Sequence, residues 1–179
     1  MNYRNLLNYK LSAIVSIIIL VLDRITKIVA EENLVLNHAI PVVKFFNLTL
    51  VFNKGAAFGM FSGLPDDLRR FILVVVSIVA LLAVGYVIVR EFSDTDKWAM
   101  SALGLILGGA IGNIYDRMLY DYVIDFLDFY VGRYHWPAFN IADSAICVGV
   151  FILIVRSVRV GSKINNPANP ENPVNPALS

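Results

Sequence analysis

A single cysteine, Cys147, stands in 179 residues, which excludes an internal disulfide and any cysteine-based zinc site. It lies in the apolar run from Ala145 to Val155 and reads as an inert buried thiol. Histidine is almost as scarce: His38 and His135 are isolated in sequence and suit structural or interfacial positions. No metal and no other cofactor is therefore expected. Charge is sparse as well, at 16% of residues, against about 25% in soluble domains. A net charge of +1 without any basic tract argues against a nucleic-acid partner. What the chain has instead is apolar length: 58% hydrophobic residues and a mean hydropathy of +0.67, the balance of a membrane protein.

A bilayer core requires about 20 predominantly apolar residues per helix. Four stretches meet that requirement, giving spans expected at about 11–30, 71–89, 98–115 and 136–156. The first carries Asp23, Arg24 and Lys27 in its second half; no small-x-small site follows it and three more spans do, so it reads as an anchor rather than a cleaved leader. An even number of spans puts both termini on one side of the membrane. The counts of Lys and Arg on the two sides are nearly equal, but Arg4, Lys10, Arg156, Arg159 and Lys163 lie close to span ends, where positive charge has most force on orientation. Both termini are expected in the cytoplasm.

Residues 31–61, with "VVKFFNLTLVFNKGAAFGMF" at their centre, read as an extracytoplasmic cradle of two or three short strands with a break at Gly55 to Ala57. "DDLRR" at 66–70 either begins the second helix or forms a short interfacial one. The segment 116–134 reads as a second outer loop, with Tyr130, Tyr134 and Trp136 suited to a membrane–water boundary. Residues 1–160 are then one four-helix membrane domain. In 161–179, Asn-Pro recurs every three residues, which blocks helix and sheet and predicts a disordered cytoplasmic tail.

Several polar residues stand where the bilayer makes them costly. Asp23 and Lys27, four apart, can pair on one helix face; snorkelling at the end of the first span explains them as well as function does. Gly104, Gly108 and Gly112 form a ridge that admits a close neighbouring helix, and Asn113, Asp116 and Arg117 follow it. Asn113 requires a polar partner so near the boundary. Pro137 suits the first turn of the fourth helix, which leaves Asn140 and Asp143 on one face near its N-terminus.

Asp143 and an aspartate of "VIDFLD", either Asp125 or Asp128, are candidates for a carboxylate pair at a dry boundary. Two such groups cannot both ionise easily, so one stays protonated and the other charged, as aspartic-type peptide hydrolysis requires. A Ser–Lys alternative would have to use Ser62 with Lys44 or Lys54, none of them in a telling pattern. A rival of another class is a small transporter or proton relay using Asp23, Asp116 and Asp143 as an intramembrane chain. A third is an assembly factor held together through the glycine ridge.

"DRITK" (23–27), "NKGAAFG" (53–59), "GGAIGNIYDR" (108–117), "VIDFLD" (123–128) and "FNIADS" (139–144) occur in an order that resembles the lipoprotein signal peptidases, also called signal peptidase II. The resemblance covers about residues 11–157. It implies a four-helix aspartyl protease of the bacterial inner membrane that cuts prolipoproteins just before a diacylglyceryl-modified cysteine. It places the catalytic pair on Asp125 and Asp143. Around that pair it places Asp23, Lys27, Asn53, Gly55, Asn113, Asp116, Arg117 and Asn140 as supporting or substrate-contacting positions. It further implies an active site at the extracytoplasmic boundary, membrane lipid as surroundings, globomycin-type cyclic peptides as inhibitors, and a monomer. Two departures stand out: Tyr115 where the family usually has an aliphatic residue, and Asp121 where it commonly has glycine.

Overall fold

The computed structural model describes residues 3–55, 61, 63–91 and 96–164. Ala56 and Ala57 of the expected turn, Ser62, and the Asn-Pro repeats of the tail lie outside the described residues. Helix α1 spans Tyr3–Asn33, strand β1 Ile40–Val43, β2 Phe46–Asn53, α2 Asp66–Glu91, α3 Lys97–Tyr120, β3 Val123–Val131, β4 Tyr134–His135 and α4 Ile141–Ile164.

Three of these helices are long and apolar enough to cross a membrane: Asp66–Ile88, Lys97–Tyr120 and Ile141–Arg159. In α1 the apolar run is interrupted by Asp23, Arg24 and Lys27. Large apolar side chains such as Ile17, Leu82 and Phe151 are exposed, the distribution of a protein whose solvent is lipid rather than water.

The central helix is α3, packed between α1 and α4, with α2 against its other side. The glycine ridge explains the first contact. A Cβ on Gly104 or Gly108 would stand 2.6 Å from the carbonyl oxygens of Ser12 and Ser16, so only glycine lets α1 come this near. The ridge is therefore consumed inside the chain. Asp96 caps the start of α3 by accepting from the N–H groups of Trp98 and Ala99 at 3.0 and 3.2 Å, and Arg156 of α4 holds its other oxygen.

The strands form one antiparallel sheet in the order β1-β2-β3-β4. Several expectations are corrected here. The stretch 116–134 is not a loop: it completes α3 and then forms β3, which pairs with β2 in the register Asn47 to Asp128 and Val51 to Asp125. The cradle thus draws half its strands from beyond residues 31–61. "DDLRR" is the opening of α2 rather than a separate interfacial helix. The fourth helix begins at Ile141, not near Pro137, because Phe139 is tied to Leu127 of β3 and keeps the chain extended until Asn140. Its far end runs on to Ile164, into the stretch expected to be tail.

Candidate active site

Strand alternation sorts the two aspartates of "VIDFLD". Asp125 and Asp128 are three apart and so face opposite sides of β3. Asp125 stands on the side of Asn53, whose strand partner is Val123, which makes Asn53 and Asp125 diagonal neighbours across β2 and β3. The Asn53 amide donates to Asp125 Oδ2 at 2.9 Å. Gly55 fixes that amide in turn, its N–H donating to Asn53 Oδ1 at 3.0 Å.

Asp143 arrives from the start of α4. Asn140 is the cap residue: its Oδ1 accepts the N–H of Asp143 at 3.0 Å, while Asp143 Oδ2 accepts the N–H of Asn140 at 3.3 Å. This reciprocal capping box uses Asn and Asp in the usual Ser/Thr and Glu positions. The Asn140 amide then reaches across to Asp125 Oδ1 at 2.7 Å. Asp143 Oδ1 accepts from the Asn113 amide of α3 at 2.7 Å. The two carboxylates therefore meet through Asn140, and both line one cavity of about 470 Å³. Asn53 and Arg117 share that cavity, part of whose wall is Trp136 to Phe139.

Behind the pair lies a buried ionic cluster. Lys27 has no exposed side-chain surface and donates to three acceptors: Asp23 Oδ2 at 2.8 Å, Asp116 Oδ2 at 2.7 Å and Asn113 Oδ1 at 3.1 Å. That satisfies all the N–H donors of an ammonium. Arg24 donates to Asp116 Oδ1 at 3.2 Å and reaches Glu31 at 4.0 Å on its other side, so a second cation faces the cluster. The free oxygen of Asp23 accepts the N–H of Ala142 at 3.0 Å, which ties α1 to the first turn of α4. Snorkelling does not describe this pair: the ammonium is turned inward, onto groups 86 and more residues away. Asn113 joins the two halves, accepting from Lys27 and from Asn140 and donating to Asp143.

Burial pushes the Asp125 carboxyl up to about 7, and the charge on Asp143 pushes the same way. Hydrogen bonds from Asn53 and Asn140 oppose the shift. A carboxyl whose proton is held toward neutral pH beside a second carboxylate is the arrangement in which one group can take a proton from water while the other donates to a carbonyl oxygen.

Arg117 reaches the cavity with its guanidinium largely buried; Nη1 donates to the Asn113 carbonyl at 3.3 Å, and Nε has no partner among the described residues. It lines that cavity together with Asp125 and Asp143. Cys147 is corrected by its surroundings: it is exposed and lines the same cavity one turn along α4 from Asp143. Arg24, the second cation of the ionic cluster, was not singled out in the sequence, because its buried partner Asp116 lies 92 residues away. The Asp23, Asp116 and Asp143 chain of a proton relay is occupied by Lys27 and Asn113 at each junction.

The family model for signal peptidase (SPase) II matches residues 15–159. A protein of Maridesulfovibrio salexigens named lipoprotein signal peptidase is 49% identical over 148 residues, covering 82% of this chain and 94% of that protein. One of the same name from Francisella tularensis subsp. novicida is 44% identical over 155 residues, covering 86% and 96%. Among solved structures, one described as a bacterial membrane enzyme structure obtained by the in meso method at 2.3 Å resolution superposes with a TM-score of 0.72 at 29% identity, covering 84% of this chain and 89% of that one.

Proposed function

The chain belongs to the signal peptidase II family, and from that premise we propose that Asp125 and Asp143 are the catalytic pair of a peptidase acting at the membrane boundary. The protein is a multi-pass membrane protease that removes signal peptides from prolipoproteins. The observation that carries the site assignment is the bridge made by Asn140, which binds both carboxylates at the edge of one cavity.

In the proposed reaction the scissile carbonyl enters the 470 Å³ cavity between the pair and the Trp136–Phe139 wall. The charged carboxylate removes a proton from water as the water oxygen bonds to the carbonyl carbon. The protonated carboxyl gives its proton to the carbonyl oxygen. The tetrahedral intermediate then collapses: the C–N bond breaks, the leaving amine takes a proton from the pair, and a hydroxyl of the intermediate returns one proton to the pair. The two groups titrate as a unit, and the roles belong to the pair. Arg117, which lines the cavity beside both carboxylates, is proposed to hold the substrate backbone. Asn53, Gly55, Asn113 and Asn140 position the carboxylates, and the Asp23, Lys27, Asp116 cluster fixes the helices that carry them.

All four helices are proposed to span the bacterial inner membrane as one domain, with both termini cytoplasmic and the pair at the extracytoplasmic boundary. A second cavity, about 310 Å³ between α2, α3 and α4, runs from Asp143 and Arg117 down to Val76, Val84 and Val150. It supports lateral entry of the signal helix from lipid, with the acyl chains of a diacylglyceryl cysteine remaining in the bilayer and the cut falling just before that cysteine. A monomer suffices for this arrangement, and a globomycin-type cyclic peptide would compete for the same cavity.

The test is a gel-shift assay in detergent with a diacylglyceryl-modified prolipoprotein, given to wild type, Asp125→Asn and Asp143→Asn. Signal-peptide release by wild type alone, with both variants folded, is the expected result. Equal cleavage by either variant would remove that residue from the pair.

A further inference from the structure

Asp128 is 5% exposed, faces away from Asp125 across β3 and takes no part in the site above, yet its carboxylate is fully engaged. Its Oδ2 accepts from the Asn47 amide at 2.8 Å, and Oδ1 stands 2.8 Å from His135 Nδ1. The pairing register explains the trio. Asn47 lies directly opposite Asp128 on β2; His135 lies opposite Tyr130, two residues along β3, and so is the diagonal neighbour of Asp128. The Tyr130 ring stacks on the imidazole with centroids 5.2 Å apart, which fixes the ring plane. Three adjacent strands are thus cross-linked on one face.

β4 is only two residues long and lies at the sheet edge. It leads directly into the wall of the catalytic cavity. Backbone bonds tie that wall to β3 at its two ends, from the Trp136 N–H to the Phe129 carbonyl at 2.8 Å and between Phe139 and Leu127. Pro137 between them offers no N–H. A two-residue edge strand held by few bonds frays readily. Resting on the reading of Asp125 and Asp143 given above, we propose that Asn47, Asp128 and His135 form a clamp that sets the position of the Trp136–Phe139 wall and so the affinity for the prolipoprotein segment. The clamp is a positioning device. Asp125 and Asp143 are held independently by Asn53, Asn113 and Asn140, so loosening the wall weakens substrate binding without disturbing the chemistry.

The experiment is steady-state cleavage of a diacylglyceryl-modified prolipoprotein by wild type, Asp128→Ala, His135→Ala and the double variant. Each single change is expected to raise KM roughly tenfold with kcat within about twofold of wild type. The double variant should be no worse than either single one, since both remove the same clamp. Asp128→Asn, which keeps the volume and one acceptor, should recover part of the loss. Trp98 and Trp136 are the two tryptophans of the chain. In a Trp98→Phe background, Trp136 emission should therefore shift to the red in Asp128→Ala and in His135→Ala before any substrate is added.

An unchanged KM in both single variants overturns the clamp, as does a double variant whose loss is the product of the two. A fall in kcat by orders of magnitude in Asp128→Ala overturns it by placing Asp128 in the chemistry. Failure of wild type to cleave overturns the underlying functional reading instead. The emission shift needs no substrate, so its absence sinks the clamp whatever the cleavage assay gives.

Discussion

Asn140 holds Asp125 and Asp143 at once: its side-chain amide donates to Asp125 Oδ1 at 2.7 Å, while its Oδ1 accepts the Asp143 N–H at 3.0 Å. The box that starts α4 is therefore also the frame of the carboxylate pair, and the two roles can be separated. Asn140→Ala removes both and is predicted to lower the cleavage rate about 100-fold, through misplacement of the pair. It should also cost about 1–2 kcal/mol of stability through loss of the cap. Asn140→Ser keeps a capping oxygen but cannot reach Asp125, so it should recover thermal stability and leave the rate low. Rates and thermal midpoints measured on the same preparations check both statements.

The raised carboxyl of Asp125 predicts an alkaline limb. In the proposed reaction one proton must stay on the pair, and with the Asp125 carboxyl pushed up to about 7, kcat/KM should fall above that pH by up to about tenfold per unit. Asn53 donates to the ionised form and thereby lowers the value; Asn53→Ala removes that bond and should move the limb to higher pH. The same shift bears on stability. The folded value lies above the reference of 3.8, so the contribution of Asp125 is fully present below about 3.8 and is lost as pH rises through about 7. Asp125→Asn has no proton to lose, and the thermal midpoint of wild type relative to it should fall between pH 4 and pH 8.

The apolar helices were legible in the sequence because a bilayer writes itself as run length, and α2, α3 and α4 fall where the runs do. β3 was not legible. "VIDFLDFYV" is buried on both faces near its start, so apolar residues and aspartates interleave without the alternation of a half-buried strand, and its partner β2 lies about 70 residues away. Pro137 misplaced the start of α4, because the segment after it is spoken for by β3; the Asn140-x-x-Asp143 box was the better marker. Spacing also showed Lys27 beside Asp23 but could not show Asp116 or Asn113, which only the close packing of α1 on α3 brings within reach. For Cys147 the surrounding apolar run hid the fact that one face of α4 borders a cavity.

Among the described residues, Lys27 is the one cation that pairs with both Asp23 and Asp116. Replacing it with methionine leaves two carboxylates against a single remaining cation, Arg24, in a site closed to water. Breaking a buried charge pair from one side costs about 3–5 kcal/mol. Lys27→Met is therefore predicted to lower the thermal midpoint sharply, while Lys27→Met combined with Asp23→Asn should regain much of it by restoring the balance of charge. Recovery in the double variant but not in the single one, followed by thermal unfolding in detergent, is the expected pattern; equal losses in both would show that the cluster acts by shape rather than charge.

Two glycines of the helices should respond in opposite directions to the same added methyl group. A Cβ on Gly112 would lie 2.5 Å from Asp23 Oδ2, the oxygen that binds Lys27, and could be accommodated only by displacing a side chain that also holds the N–H of Ala142. Gly112→Ala is predicted to cost about 1–3 kcal/mol by overpacking and to reduce cleavage, since the first turn of α4 carries Asp143. Gly85, within α2, has nothing within 4 Å of the position its Cβ would take. There alanine only removes the excess freedom of glycine in a helix, a gain of about 0.5–1 kcal/mol with no effect on cleavage. Thermal midpoints and cleavage rates of the two variants, measured side by side, check the contrast: a neutral Gly112→Ala would mean that α1 and α3 stand farther apart in the membrane than their contact at Asp23 requires.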